Sequence, residues 1–134
     1  MVKQTIISPD AIPCLPVFAH ACISDGKVYV SGSIGCDRNH KVVPGGVKAQ
    51  TLVALDNIHT ILRASNSDLE HVVKMNVYMA HLQRDFADMN EAYLQVFPQY
   101  PHARTCVGVA CLPLGADVEF ECIAEVVPAQ AESN

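Results

Sequence analysis

Arg104-Thr105-Cys106-Val107-Gly108-Val109-Ala110-Cys111 and Val118-Glu119-Phe120-Glu121-Cys122-Ile123-Ala124-Glu125 read as two strands in the last third of the chain. Successive side chains on a strand point to opposite faces, so Arg104, Cys106 and Gly108 share one face of the first run. In the second, Val118, Phe120 and Cys122 share a face that needs a core to cover it, while Glu119, Glu121 and Glu125 share the other. If the two runs pair, the mixed face brings one guanidinium near carboxylates. Arginine keeps its charge and meets a carboxylate through two parallel N–H donors, so the pattern fits a small-anion site. It fits a structural Arg–Glu pair equally well.

Upstream, Val72 to Met79 alternates with Val73, Met75, Val77 and Met79 on one face. A helix is expected from about residue 47 to 65, where Val47, Leu52, Leu55, Ile58 and Leu62 keep a stripe that Val53 and Ile61 broaden. A second is expected over about 86–97, with Asp85 as N-cap, Phe86, Met89, Tyr93 and Val96 as its stripe, and Pro98 as its stop. Asp25-Gly26 is the strongest hairpin signal, between strands near 19–24 and 27–31. Before it lie a short strand near 3–7 and a proline-interrupted segment, Ile12 to Phe18, that reads as a loop or edge. After it, Ser31-Gly32-Ser33-Ile34-Gly35 supplies small residues that allow close backbone approach. The tail from about Pro128 is expected to fray.

The order β-ββ-α-β-α-ββ predicts an α+β fold: a single domain over residues 1–134, with a mixed sheet and both helices on one face. The other face, expected to carry Arg104 and the glutamates, is too apolar for water alone, which points to oligomerisation through it. At 134 residues the chain is long enough for a real core. Half the residues are hydrophobic and only 17% are charged, so the surface is lean. The net charge of -5, with lysines and arginines scattered, argues against a nucleic-acid surface. Six cysteines without a C-x-x-C pair, and six histidines without an H-x-x-x-H pair, give no metal signature and read as free thiols in a reducing compartment. No signal sequence or membrane-length apolar run is present, so a cytoplasmic location is expected.

Taken together, these segments resemble the RidA/YjgF family of imine and enamine deaminases. The likeness rests on Ala103-Arg104-Thr105-Cys106-Val107 with Leu112-Pro113, and on Val118 to Ala124. It is supported by Val30 to Ile34, Ala54 to Ile58, Val73-Lys74 with Val77, and Phe86 through Asn90 to Tyr93. The resemblance implies a chorismate-mutase-like homotrimer with clefts between subunits, no metal or organic cofactor, and hydrolysis of 2-imino and enamino acids, such as 2-aminoacrylate, to 2-oxo acids and ammonia. It assigns Arg104 to the substrate carboxylate, Glu119 to the attacking water and the Cys106 backbone to holding that water. Ser31, Gly32 and Asn90 are assigned to the cleft. Departures from the family pattern are Phe18, where a tyrosine is usual, and His102, where a proline is usual. Phe18 is expected to form a cleft wall; a second, less favoured reading has His102 share the Arg104 face and tune the cleft near neutral pH. The competing readings are a non-catalytic trimer that binds small 2-oxo acids or chaperones partners, and a deaminase for a larger enamine such as 2-aminomuconate.

Overall fold

The computed structural model describes residues 2–99 and 101–128. Its strands are β1 (Gln4–Ile6), β2 (Ala21–Ser24), β3 (Lys27–Ile34), β4 (Val72–Met79), β5 (Ala103–Gly108) and β6 (Val118–Glu125). Its helices are α1 (Gly46–Ala64) and α2 (Leu82–Val96). The element order is the expected one. Asp25 and Gly26 take φ values of 51° and 80°, the left-handed pair that a two-residue hairpin requires, and close β2 onto β3.

The strands form one mixed sheet in the order β1-β2-β3-β6-β4-β5. Every neighbouring pair is antiparallel except β4 and β5. Those two are parallel because α2 carries the chain back across the sheet between them, the only economical way to join parallel neighbours. The runs led by Arg104 and Val118 are therefore not partners, since β4 lies between them. The alternation within each run holds, but the condition that the two runs pair is not met.

One layer of core lies between the sheet and the two helices. Phe120, Met75, Met79, Val77 and Val118 rise from the sheet to meet Leu55, Ile58 and Leu62 of α1 and Met89 of α2, all fully buried. The α1 face differs in detail from the expected stripe: Gln50, Thr51 and Ala54 are buried, whereas Leu52 is exposed. Gln50 is tolerated there because it exchanges two hydrogen bonds with Asp117, one to the carboxylate and one from the backbone N–H.

Three local expectations are corrected. The second helix begins at Leu82, so Asp85 lies inside its first turn and is not the N-cap. There it is buried and accepts two hydrogen bonds from Arg84, each 2.8 Å long, in the turn where a negative charge favours the helix dipole. Shifting the start rotates the buried face onto Asp85, Met89, Ala92 and Tyr93 and leaves Phe86 exposed. In β4, Val72 is buried and Val73 exposed, because the register with β6 shifts between Val72 and Lys74. The Arg104 strand ends at Gly108 and does not run on to Cys111. The C-terminal tail lies almost wholly outside the described residues.

Helix α1 crosses the sheet where β3 ends, and the crossing is tight. A Cβ on Gly35 would stand 2.4 Å from the backbone oxygen of Gln50 and 2.6 Å from its Cα. Neither can move without moving the helix. Gly35→Ala is expected to cost about 1–3 kcal/mol through overpacking, read as a lowered urea midpoint by circular dichroism. An unchanged midpoint would mean that this crossing is looser than its geometry.

Candidate active site

The family-assigned residues fall into two groups, on opposite faces of the sheet. Phe18, Ser31, Gly32 and Glu119 line a groove of about 760 Å³ together with Leu15 and Leu114, and α1 reaches its edge through Asn57 and Ile61. Arg104 and Cys106 lie on the helix side, because their register partners in β4 are the buried Met75 and Val77. The face shared by Arg104 and the glutamates, expected from pairing β5 with β6, does not exist within one chain.

At the groove, β6 places Glu119 beside β3 just after the register shift between Val30 and Ser33. That shift brings the Gly32 backbone against the Glu119 carboxylate: a Cβ on Gly32 would sit 2.4 Å from Glu119 Oε2. A side chain at position 32 would evict the carboxylate. Half-buried, Glu119 has its carboxyl pKa raised, first by desolvation and then by Glu121. Glu121 itself accepts hydrogen bonds from Asn76 Nδ2, at 3.2 Å, and from the Tyr78 hydroxyl. The bond to Glu121 holds the Tyr78 proton in place and pushes that pKa up to about 12. Of the two groove carboxylates, Glu121 is occupied by neighbours and Glu119 is free for a ligand.

The groove wall formed by residues 9–18 is tied down by side chains that the sequence reading passed over. Arg38 donates to the carbonyls of Ala11 (3.0 Å) and Pro9 (3.4 Å), and His40 Nε2 bonds Pro13 O at 2.8 Å. The buried His20 accepts from the Ser8 N–H at Nδ1 and reaches Ile12 O from Nε2 at 2.6 Å, which defines the tautomer with the proton on Nε2. Ser31 lines the groove, and its hydroxyl donates to Ala19 O at 2.6 Å and is already committed. Phe18 stands on the wall, 45% exposed. His20 sits beside the proline-rich loop in the sequence, but Arg38 and His40 are separated from it by the β2–β3 hairpin, so no local pattern marks them as its anchors.

On the helix side, the Arg104 guanidinium lies 4.8 Å above the centre of the Tyr93 ring and 3.9 Å from Met89 Sδ. It has no carboxylate partner among the described residues. A half-buried cation on an aromatic platform, without a counter-ion, is suited to receive an anion. The Tyr93 hydroxyl bonds His102 Nε2, and Phe97 meets the His102 ring edge-on at 4.7 Å. His102 thus joins the Arg104 surroundings through Tyr93. Cys106 packs against the core, where burial raises its thiol pKa, with Arg104 acting in the opposite sense. A thiol so held stays protonated, in line with packing and not nucleophilic attack. Asn90 is half-buried on α2 and lines neither groove wall nor floor.

Residues 9–126 match the family described as Endoribonuclease L-PSP. A Bos taurus protein named 2-iminobutanoate/2-iminopropanoate deaminase is 37% identical over 125 residues, covering 92% of this chain and 90% of that protein. A Saccharomyces cerevisiae relative named Protein MMF1, mitochondrial, is 39% identical over 114 residues, covering 85% of this chain and 78% of its own length. The crystal structure of yeast Mmf1 superposes with a TM-score of 0.89 at 35% identity, covering 94% of this chain and all of the other. The chain belongs to the Endoribonuclease L-PSP, or RidA/YjgF, family, and its six-stranded sheet with two helices is that family's fold.

The two titrating groups respond to pH in opposite ways. Burial, then Arg104, hold the His102 pKa below its ordinary 6.5, so the unfolded chain takes up more protons as pH falls through that window. Wild type is expected to lose stability below pH 6.5, and His102→Gln to lose it less steeply, in urea titrations followed by circular dichroism. Equal slopes would show that the imidazole is not linked to folding. The raised carboxyl of Glu119 makes its ionisation costly in the folded chain. Glu119→Gln should therefore raise the urea midpoint at pH 7, an advantage that vanishes below pH 4.5, the ordinary carboxyl value. A lower midpoint at pH 7 would contradict this.

Proposed function

We propose that the protein hydrolyses 2-imino acids to 2-oxo acids and ammonia in clefts formed between copies of the chain. The observation that carries this reading is Glu119, a free, half-buried carboxyl with a raised pKa, seated against Gly32 in a groove. The unpaired Arg104 and the relative named 2-iminobutanoate/2-iminopropanoate deaminase support it.

The chemistry needs little. Glu119 takes a proton from water as the water oxygen adds to the imine carbon, and the C=N π pair moves to nitrogen. Glu119 returns that proton to nitrogen, the new hydroxyl passes its own proton to nitrogen as it closes to the carbonyl, and the C–N bond breaks to release ammonia. Arg104 binds the carboxylate next to the reacting carbon and fixes it against the water. A base whose pKa sits above the usual carboxylate range transfers that proton better near neutrality than an ordinary glutamate. The Cys106 backbone is proposed to help hold the water. Phe18, with no hydroxyl, lines the groove without contributing a hydrogen bond.

Arg104 and Glu119 cannot serve one substrate from the same chain. Arg104 is level with Cys122, through Met75, while Glu119 lies further along β6 and across β4. Their Cα positions differ by about 10 Å along the strands and about 10 Å across them, with side chains on opposite faces. A neighbouring copy must bring its β5 edge to the groove, and a closed ring, which we propose is the family-like homotrimer, repeats that contact in every subunit. The exposed Tyr29, Val73 and Val107, with the lean charge, support burial between copies.

Glu119 and Glu121 on the groove floor would repel a phosphodiester chain, so the ribonuclease activity in the family's description finds no support at this site. No described helix is long and apolar enough to cross a membrane. Six free cysteines support the proposal of a reducing, cytoplasmic setting.

The test is semicarbazide trapping of imine made by an amino-acid oxidase, with variants assayed alone and mixed. Arg104→Ala removes charged hydrogen bonds worth about 1.5–3 kcal/mol, and should cut kcat/KM by about 10- to 150-fold. Glu119→Gln should cut it by about 10²- to 10⁴-fold. Refolding the two together should restore activity to about a quarter of the sites, because a ring shared between copies pairs intact Arg104 with intact Glu119. No recovery on mixing would overturn the shared cleft. Binding of 2-oxobutyrate without turnover would favour the non-catalytic reading.

A further inference from the structure

The groove holds more than the groups that act on an imine. Its walls carry three large apolar side chains that face solvent: Leu15 at 54% exposure, Phe18 at 45% and Leu114 at 60%. Exposed leucines scattered over a surface need no explanation, but three converging on one concavity do. They stand on two separate segments, residues 12–18 and Pro113–Gly115, which line the same groove as Glu119.

Leu114 adds an independent observation. Its backbone lies in the left-handed region, at φ 58° and ψ 21°, next to Gly115 at φ 71°. A γ-branched residue there costs roughly 1–2 kcal/mol relative to the right-handed region. Nothing in the core repays that cost, since the side chain lies mostly in solvent. Glycine would suit the backbone better. Strain held by a residue whose side chain faces a groove is the kind that a ligand contact explains.

The wall is also built in advance. Arg38, His40 and His20 bond the carbonyls of Pro9, Ala11, Ile12 and Pro13, and Ser31 bonds Ala19. A loop with so many backbone anchors keeps Leu15 and Phe18 in place before any ligand arrives, which lowers the entropic cost of binding. The groove's 760 Å³ falls within the range of about 300–1,000 Å³ typical of sites for ligands much larger than a three-carbon acid.

We infer that the groove is a subsite for a large apolar side chain, so that the substrates are 2-imino acids with branched aliphatic or aromatic side chains in preference to the two- and three-carbon imines. This rests on the deaminase reading above. The carboxylate goes to Arg104 of the neighbouring copy, the imine carbon lies at Glu119, and the side chain extends between Leu15, Phe18 and Leu114. Only the last contact depends on substrate size. The enzyme that supplies such a substrate must oxidise an apolar amino acid at its α-carbon, passing the two electrons to its own acceptor and leaving the imine free in solution.

The experiment uses the intact full-length assembly and one amino-acid oxidase, which converts leucine, phenylalanine or alanine to the corresponding 2-imino acid, with semicarbazide trapping as the readout. The kcat/KM for the leucine and phenylalanine imines should exceed that for the alanine imine by at least about tenfold, the order that apolar contacts of one or a few methylenes give. In Leu114→Gly, whose backbone is relieved of strain and whose folding is therefore not at risk, that ratio should fall several-fold toward one. Leu15→Ser should act in the same direction. Faster hydrolysis of all three imines without preference, or with preference for the alanine imine, would overturn the subsite while leaving the deaminase intact. Preference in wild type that survives both substitutions would also overturn it. Acceleration of none of the imines would overturn the deaminase reading, and this inference with it.

Discussion

A strand cannot show Phe120 to the helices without showing Glu119 to the other side of the sheet, and most of what distinguishes this protein follows from that. The core is one-sided: α1 and α2 cover a single face, and every second residue of β6 from Val118 to Ala124 is buried beneath them. The intervening residues, Glu119, Glu121 and Ile123, are left on a face that no helix covers. Phe120 anchors the first layer, its ring stacking at 6.0 Å on Tyr93, which in turn carries Arg104. One strand therefore supports the cation through its buried residues and presents the carboxyl through its half-exposed ones.

The same alternation separates the two functional groups of the proposed reaction. Within one chain this keeps the Arg104 cation from being neutralised by Glu119 or Glu121, the outcome expected had their strands been adjacent on a shared face. An Arg–Glu pair would hold the glutamate's pKa down and occupy the guanidinium. Separation leaves Arg104 on Tyr93 without a carboxylate partner among the described residues and lets desolvation raise Glu119. Both states are costly to a folded chain and useful to a catalyst, the usual relation between stability and a prepared site.

The groove illustrates a second use of local cost. Gly32 gives up a side chain so that a carboxylate can rest on its backbone, and Leu114 accepts a left-handed conformation beside it. The proline-rich segment over residues 9–18 has no sheet partners of its own. It is held by side chains from beyond the β2–β3 hairpin, Arg38 and His40, and by the buried imidazole of His20. Such bonds to carbonyls satisfy backbone that would otherwise need water, and they make a loop behave as a wall.

Local order was legible in the residues alone. Alternation located β4 and β6, Asp25-Gly26 located the hairpin, helical periodicity located α1, and the motif around Arg104 with that around Glu119 identified the family. These features depend on neighbours a few positions away, whose relation the chain's covalent geometry dictates. The start of α2 was misplaced because Asp85 is a good N-cap residue, and only its burial beside Arg84 shows that it serves inside the first turn. Insertion of β4 between β5 and β6, the face on which Arg104 lies, the anchoring of the 9–18 wall and the seating of Glu119 on Gly32 were decided by tertiary structure. Each depends on which distant segments meet, and strand order in a sheet is chosen by the whole packing of helices on one face, a sum over contacts that no window of sequence contains.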